Sequence, residues 1–419
     1  MKKIWIMNHY GEPPTTGTNT RHFNFAKILT ERGYNVKIFT SSMIHRTTIN
    51  YISDNIKFLE KQICGVSFVF IKSSNYKGNG TYRIKNMLDY AMGIYNVTKQ
   101  FDKPDIIYAS SPHPLTWLSS YFIAKRYDAK FIVETRDLWP ETLVAMGRIK
   151  KSSVIGKILY ALEKYIYQRA DSLIFTFPGG KDYIESIGLN FSKVNYINNG
   201  INIKEFYEQK EKYFYDDMDL ENENTFKVLY TGSMGQANEL KYLVESAERI
   251  NNYGMYNIKF ILFGDGYQKE ELERYVKDNN IDNVIFKDKV DKRYIPNILS
   301  KSNLNVFTGK HIYLYKYGLS LNKMFEYFAS GKPTISNIEC GYDLLEKYKC
   351  GITVKGGSAE ALTEGILKFY NMAKEEYNDY CENALKAAKD FDFEYLTDKL
   401  EDVIIEDSIV KRLASENIK

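Results

Sequence analysis

Short apolar runs alternate with segments of helical spacing along the whole chain, and the alternation occurs twice. In the first half "KIWIMN" (3–8), "NVKIFTS" (35–41), "DIIYASS" (105–111), "KFIVETR" (130–136), "SLIFTF" (172–177) and "KVNYINN" (193–199) read as strands. Helical patterns lie between them, including 20–33, which ends on Gly33 at the C′ position, and 152–171. The polar, acidic stretch 205–225 has no apolar periodicity and reads as a linker. The alternation then restarts with strands at 226–232, 258–264, 284–288, 304–309, 332–337 and 351–355 and helices such as 239–251 and 267–279.

Strands alternating with helices predict parallel sheets covered on both faces. The expected organisation is α/β: two doubly wound domains at 1–204 and 226–385 around the linker 205–225. A helical segment, 386–419, would pack back towards the first domain. Ligands of open parallel sheets bind outside the carboxyl ends of the strands, so the pattern predicts a site in a cleft between two facing domains.

A chain of 419 residues, 44% hydrophobic, is long enough for two cores. It has no stretch of transmembrane length. The start, "MKKIWIMNHYGEPP", carries too short an apolar run for a signal-peptide core, so the expected location is the cytoplasm. Cys64, Cys340, Cys350 and Cys381 show no metal-ligand spacing and read as ordinary thiols, and no histidines pair at i, i+4. No metal site is expected. Net charge is +4, but residues 1–205 hold 28 Lys and Arg against 16 Asp and Glu, whereas the remainder holds 29 against 37. The basic half should meet something anionic, a membrane surface or a phosphorylated substrate. No nucleic-acid-binding pattern accompanies the charge.

The candidate chemistry starts at "LSLNKMFEYFASGKP" (319–333). Ser320 is the expected N-cap of a short helix closed by Gly331 and Pro333, which puts Asn322 and Lys323 in the first turn. There the peptide dipoles already present about +0.5 charge, so a cation is unfavourable without an anion. Two glycine turns also open onto helices after strands: "GSMGQAN" (232–238), with Gly232 and Ser233, and "GDGYQKEEL" (264–272), with Gly264 and Gly266. A diphosphate bound at these openings would make Lys323 a charge partner. Glu326, one turn on, is placed to accept hydrogen bonds from ribose hydroxyls. The plain alternative is a surface ion pair between Lys323 and Glu326 at i, i+3. "GDG" lacks the third glycine of the dinucleotide fingerprint, which argues against NAD.

"NKMFEYFASGKP", "GDGYQKEEL" and "YTGSMGQA", with "RDLWPET" (136–142), "LEKYIYQRAD" (162–171) and "NYINNGINIKEF" (195–206), together resemble family 4 glycosyltransferases of the GT-B fold. They resemble most the bacterial enzymes that assemble O-antigen and capsule repeat units. The resemblance implies two Rossmann-like domains facing across a cleft. It implies retaining transfer of a hexosyl or N-acetylhexosaminyl group from a nucleotide-sugar, usually a UDP-sugar, with no cofactor and no required metal. Glu326 matches the second glutamate of the family's Glu-(seven residues)-Glu pattern, implied to hold the ribose, and Gly318 stands where the first would be. The basic pair common in the first glycine turn is missing, leaving Lys323 and Lys310 to neutralise the diphosphate. In the acceptor-side half Gly17 and Arg21 match the family's cleft loop loosely, and Arg136 opens the "RDLWPE" motif. Asp137 takes the place of the cleft histidine or aspartate, and His113 is the second candidate to meet the acceptor hydroxyl, with Glu134 and Glu141 behind them.

The D-x-D triplets at Asp217–Asp219 and Asp390–Asp392 read as chance. Segment 147–169 mixes lysines with Val154, Ile155, Ile158, Leu159, Leu162 and Ile166 and reads either as a core helix or as an interfacial one. With the family's polyprenyl-diphosphate-linked acceptors, the expectation is peripheral attachment to the inner face of the cytoplasmic membrane. The competing readings are a sugar-nucleotide epimerase on the same scaffold and a non-catalytic nucleotide-binding scaffold protein.

Overall fold

Eight strands make the first sheet: β1 (Lys3–Asn8), β2 (Asn35–Ser41), β3 (Phe58–Ile63), β4 (Val66–Ile71), β5 (Ile106–Ser110), β6 (Lys130–Thr135), β7 (Ser172–Phe175) and β8 (Val194–Tyr196). Their order is β3-β4-β2-β1-β5-β6-β7-β8. The computed structural model describes residues 1–16, 20–78, 80–110 and 113–416, with side chains to residue 405. All pairs are parallel except β3 with β4, a hairpin whose two-residue turn, Cys64 and Gly65, has both φ positive (49° and 82°). The sequence pattern did not single out this hairpin. β3, "FLEKQI", lies at the sheet edge and is half-buried to exposed, so its apolar alternation is weak.

Helices α1 (Arg21–Glu31), α2 (Thr81–Val97), α3 (Pro114–Tyr127), α4 (Glu141–Ala145) and α5 (Val154–Tyr167) connect these strands. α1 ends as its sequence predicts: Gly33 has φ +90° and the Tyr34 amide donates to the Leu29 carbonyl at 3.0 Å. The chain moves one way from β1 to β2 and the other way from β4 through β5 and β6 to β7. Right-handed crossovers therefore put α1 on one face and α2, α3 and α5 side by side on the other. The chain rejoins this unit at Leu396: Leu400, Val403 and Ile404 are buried, and Arg32 pairs with Asp398 and Glu401 at 2.7 and 2.8 Å.

The second unit, Asn199–Tyr395, holds six parallel strands: β9 (Phe226–Thr231), β10 (Ile258–Phe263), β11 (Val284–Lys287), β12 (Leu304–Phe307), β13 (Thr334–Ser336) and β14 (Gly351–Thr353). Their order is β11-β10-β9-β12-β13-β14. Val228, Tyr230, Phe260, Leu262, Leu304 and Val306 form the centre of its core. The expected linker is corrected here. Residues 203–212 are a helix that buries Phe206, capped by the Asn202 side chain on the Glu205 amide, and Asp217 caps another, Met218–Glu221. A stripe carried by one buried aromatic is too thin to register as periodicity. Asp217 and Asp219 grip Lys287 at 2.7 and 2.6 Å, and Asp390 accepts from Tyr348, so members of both acidic triplets serve as local fastenings.

Glu163 on α5 is 1% exposed and accepts from Tyr183 Oη at 2.8 Å. Burial pushes its carboxyl up to about 8, against the hydrogen bonds of Tyr183 and Tyr167. Because the folded value lies above the ordinary 4.5, the native state holds the extra proton between those values. The associated stability is complete below pH 4.5 and is lost as pH rises to about 8. Glu163→Gln keeps the acceptor oxygen and removes the titration. Its melting temperature should match wild type near pH 5 and exceed it by several degrees at pH 8, measured by thermal unfolding across that range.

Candidate functional site

In the second unit Lys323 stands on the helix Asn322–Ala329, beside the carboxyl end of β9. Its ammonium donates to Tyr230 Oη at 3.1 Å and to Asn238 Oδ1 at 3.5 Å, and lies 4.3 Å from the Tyr230 ring centre. Among the described residues no carboxylate pairs with it, since Glu326 turns to Lys292 at 3.4 Å. The i, i+3 ion pair is therefore not formed. The Lys323 side chain keeps some accessible surface, yet its end is crowded by protein atoms. That dehydration pulls it down to about 8, with the field of Glu326 opposing.

Asn238 is oriented by donating to the Ser233 carbonyl (2.9 Å) and hydroxyl (3.1 Å), while Tyr230 Oη donates to the same carbonyl at 2.7 Å. Thr308 Oγ1 binds the Asn238 carbonyl, and the Lys310 amide donates to Ala237 at 3.0 Å. Lys310 thus sits beside this loop with its side chain exposed. Lys323 and Ser233 come together at Asn238, which the sequence reading missed, and the Lys310 backbone flanks the same loop. No motif marks it: only the fold of the 232–238 loop brings it to the lysine.

The glycines have a more local reason than ligand approach. A Cβ on Gly264 would lie 1.8 Å from the Gly232 carbonyl oxygen, and one on Gly266 would lie 2.3 Å from that of Met234. The two loops press backbone against backbone, joined by the Met234 amide donating to Asp265 at 2.8 Å. Gly232 differs, because a Cβ there would meet Lys323 Nζ at 2.8 Å. It clears the space the ammonium occupies.

Ser320 is not the cap. Leu321 holds that position and supplies no side-chain cap, while the Asn199 amide and side chain bond the Ser320 hydroxyl and carbonyl at 3.4 and 3.1 Å. Asn322 is exposed in the first turn. Among the described residues no side chain caps the free amides at the start of this helix, next to Lys323.

In the first unit the structure corrects Arg21. It is 3% exposed, and its guanidinium donates twice to Glu134 Oε2 (3.0 and 2.7 Å), to the Ile197 carbonyl (2.8 Å) and to that of Asn198. Glu134 also receives Ser110 Oγ at 2.6 Å, Tyr108 Oη, and His22 Nε2 at 2.9 Å. The tautomer of His22 follows from its neighbours. The Tyr10 amide donates to Asn8 Oδ1, so Asn8 Nδ2 donates to His22 Nδ1 and the ring proton is on Nε2. Arg21 therefore ties α1 to β6 and the end of β8, and offers nothing to an acceptor.

His113 is likewise buried, 1% exposed, with Nε2 2.9 Å from His9 Nδ1. His9 Nε2 meets Asn86 Oδ1 at 2.6 Å, and Asn86 Nδ2 donates to the Ser74 carbonyl at 2.7 Å. That orients the amide, makes His9 Nε2 the donor, and makes His113 Nε2 donate in turn. Burial holds His9 at about 3 and His113 well below its ordinary value, so both rings are neutral. His113 is a buried hydrogen-bond donor to His9 and not a surface base.

Asp137 remains. It follows β6, is exposed, and has no hydrogen-bond partner for its carboxylate among the described residues. Although water reaches it, partial dehydration by the surrounding protein raises its carboxyl against the pull of Arg136. Arg136 is half-buried, in the fields of Glu134 and Asp137. Glu141 accepts from Tyr160 Oη. Gly17 lies outside the described residues. Among the described residues no three His, Cys, Asp or Glu side chains are grouped to hold a metal ion.

Residues 15–205 match the family model described as Glycosyltransferase Family 4, and residues 225–372 match that of Glycosyl transferases group 1. No curated protein matches the sequence. Among solved structures, sucrose-phosphate synthase from Thermosynechococcus elongatus superposes with a TM-score of 0.72 at 15% identity, covering 98% of this chain and 100% of that one. Anabaena HepE in complex with UDP gives 0.69 at 12% identity, covering 97% and 100%. WaaG, a glycosyltransferase involved in lipopolysaccharide biosynthesis, gives 0.63 at 14% identity, covering 96% and 99%. With a glycosyltransferase model on each half and this architecture, the chain is a glycosyltransferase of the family 4 type with the GT-B fold.

Proposed function

We propose that this enzyme moves a sugar, with retention, from a UDP-sugar to a polyprenyl-diphosphate-linked saccharide, in building a surface polysaccharide repeat unit. The observation that carries the donor assignment is the Lys323 ammonium, held by two neutral oxygens with no carboxylate partner among the described residues, beside a helix that starts uncapped. In this reading Lys323, Lys310 and the free amides neutralise the departing diphosphate. Glu326, now held by Lys292, accepts from the ribose hydroxyls. Asp137 meets the acceptor hydroxyl from the first unit. UDP in the HepE complex supports a uridine donor, and the lipopolysaccharide role of WaaG supports a lipid-linked acceptor. The basic first half and the lysines of 147–169 support peripheral attachment to the inner face of the cytoplasmic membrane.

The test is thermal stability with UDP, GDP and ADP on wild type and Glu326→Ala. At about 100 times Kd a ligand stabilises by about 2.7 kcal/mol, a rise of several degrees. UDP alone should raise the wild-type melting temperature, and Glu326→Ala should give a smaller rise and a higher donor KM. An equal rise in the variant removes Glu326 from the site, and no rise with any nucleotide removes the donor assignment.

A further inference from the structure

The outer arc of α2 is apolar where a surface helix is ordinarily polar. Ile84, Leu88, Met92 and Tyr95 recur at spacings of four, four and three and share one side, and all four are exposed, while Asn86, Tyr90, Ile94 and Val97 fill the buried side. Phe122 on the adjoining α3 is 45% exposed, and on α5 Val154, Ile155 and Ile158 are 74%, 62% and 59% exposed. Side chains link the three helices across this face. Arg126 of α3 donates to the Tyr95 carbonyl at 3.0 Å and lies over its ring, Tyr121 of α3 stands edge-on to Tyr165 of α5 at 5.8 Å, and Arg169 covers Tyr165 at 3.5 Å.

The exposed charges on the three helices themselves have one sign, with Asp128 and Asp102 lying beyond their ends. Lys85, Lys99, Lys125, Lys157 and Lys164 are exposed. Of the acids on the three helices, Glu163 is buried and Asp89 accepts from the Ser74 amide and hydroxyl. Exposed aliphatics edged by tyrosine, arginine and lysine match a bilayer surface, where rings settle at headgroup level and long cations reach lipid phosphates. A second copy of the chain fits less well, because a two-fold contact would set this basic face against itself.

We propose that the outer face of α2, α3 and α5 is one continuous docking surface for an anionic bilayer. This rests on the lipid-linked acceptor reading and deepens it, because α2 and α3 join the segment that the sequence pointed to.

The experiment is sedimentation of the full chain with phosphatidylcholine vesicles, with and without phosphatidylglycerol. It compares wild type, Leu88→Glu with Met92→Glu on α2, and Ile155→Glu with Ile158→Glu on α5. Wild type should bind the anionic vesicles, and each pair should lower partitioning at least about tenfold, with an unchanged UDP-induced melting shift as the check on folding. Loss through α5 alone, with the α2 pair binding like wild type, overturns the continuous face while leaving the acceptor reading in place. Equal binding to neutral vesicles overturns the anionic assignment. No vesicle binding, with a dimer that the same variants dissociate, overturns it in favour of a second copy. In each case transfer assayed with a detergent-dispersed lipid-linked acceptor judges the acceptor reading separately.

Discussion

Lys323→Ala should lower kcat/KM for the donor about a hundred- to a thousandfold, the usual effect of removing one preorganised group from a developing anion. The fall should exceed that of Lys310→Ala, because the two lysines are held differently. Lys323 is fixed before the ligand arrives by Tyr230, Asn238 and the space over Gly232, whereas the Lys310 side chain is exposed and must be ordered on binding. Lys323→Arg should restore little, because the pocket that receives a compact ammonium has Gly232 on one side and the Tyr230 ring on another. The same site titrates. Dehydration brings Lys323 down to about 8, so donor affinity should fall as pH rises through 8 while the ammonium is lost. Stability of the free protein should move the other way. Between about 8 and the ordinary 10.5 the unfolded chain holds more protons than the folded one, so the contribution of this group to stability rises with pH. Donor KM and melting temperature measured over the same pH series test both, and a donor KM that stays flat through pH 9 removes Lys323 from the diphosphate site.

The largest loss of stability is expected from Glu134→Gln. Burial alone would raise the Glu134 carboxyl, but Arg21 and then His22 hold it well below its ordinary value, so it is ionised in the native state. Neutralising it leaves Arg21 buried without a counter-ion and turns an amide N–H₂ towards groups that already donate. Breaking a buried pair in this way costs about 3–5 kcal/mol, or roughly 10 °C for a unit of this size. Arg21→Leu should cost a similar amount, and the double variant Arg21→Leu with Glu134→Leu should be less damaged than the sum of its parts. Thermal unfolding of the four proteins measures the coupling. Arg21→Leu with normal stability but lost transfer would return Arg21 to the acceptor.

Much of the architecture was legible because buried parallel strands are near-continuous apolar runs. β1, β2, β6, β9 and β10 fall where those runs lie. The edge strand β3 and the helix at 203–212 were not, since an edge strand with one half-covered face and a helix with one buried aromatic leave little periodic signal; β4, fully buried and mostly apolar, carries that signal and was passed over. In the candidate site the residue types were legible, and their surroundings were not. Arg21 was chosen from its loose match to the family's cleft loop, and His113 as a polar residue following a strand, at the place where ligands of such sheets bind. Both are partnered by groups more than 90 positions away in sequence, Glu134 and His9.

The sequence by itself determined the two α/β halves, the glycosyltransferase character carried by their motifs, and the presence of an ammonium in a helix first turn that calls for an anion. The halves and the ammonium follow from local rules, which are strand and helix periods, turn residues and the helix dipole, whereas the glycosyltransferase character is what the resemblance of the motifs to a known family implies. Tertiary structure alone decided that Glu326 turns to Lys292 and leaves Lys323 without a carboxylate. It decided that Gly264 and Gly266 serve loop packing, and that Arg21 locks the first sheet while Asp137 stays exposed. Each of these depends on which distant group a side chain meets. Burial raises the cost of an unpaired charge so far that the meeting, and not the residue type, sets whether a side chain holds the fold or remains open to a substrate.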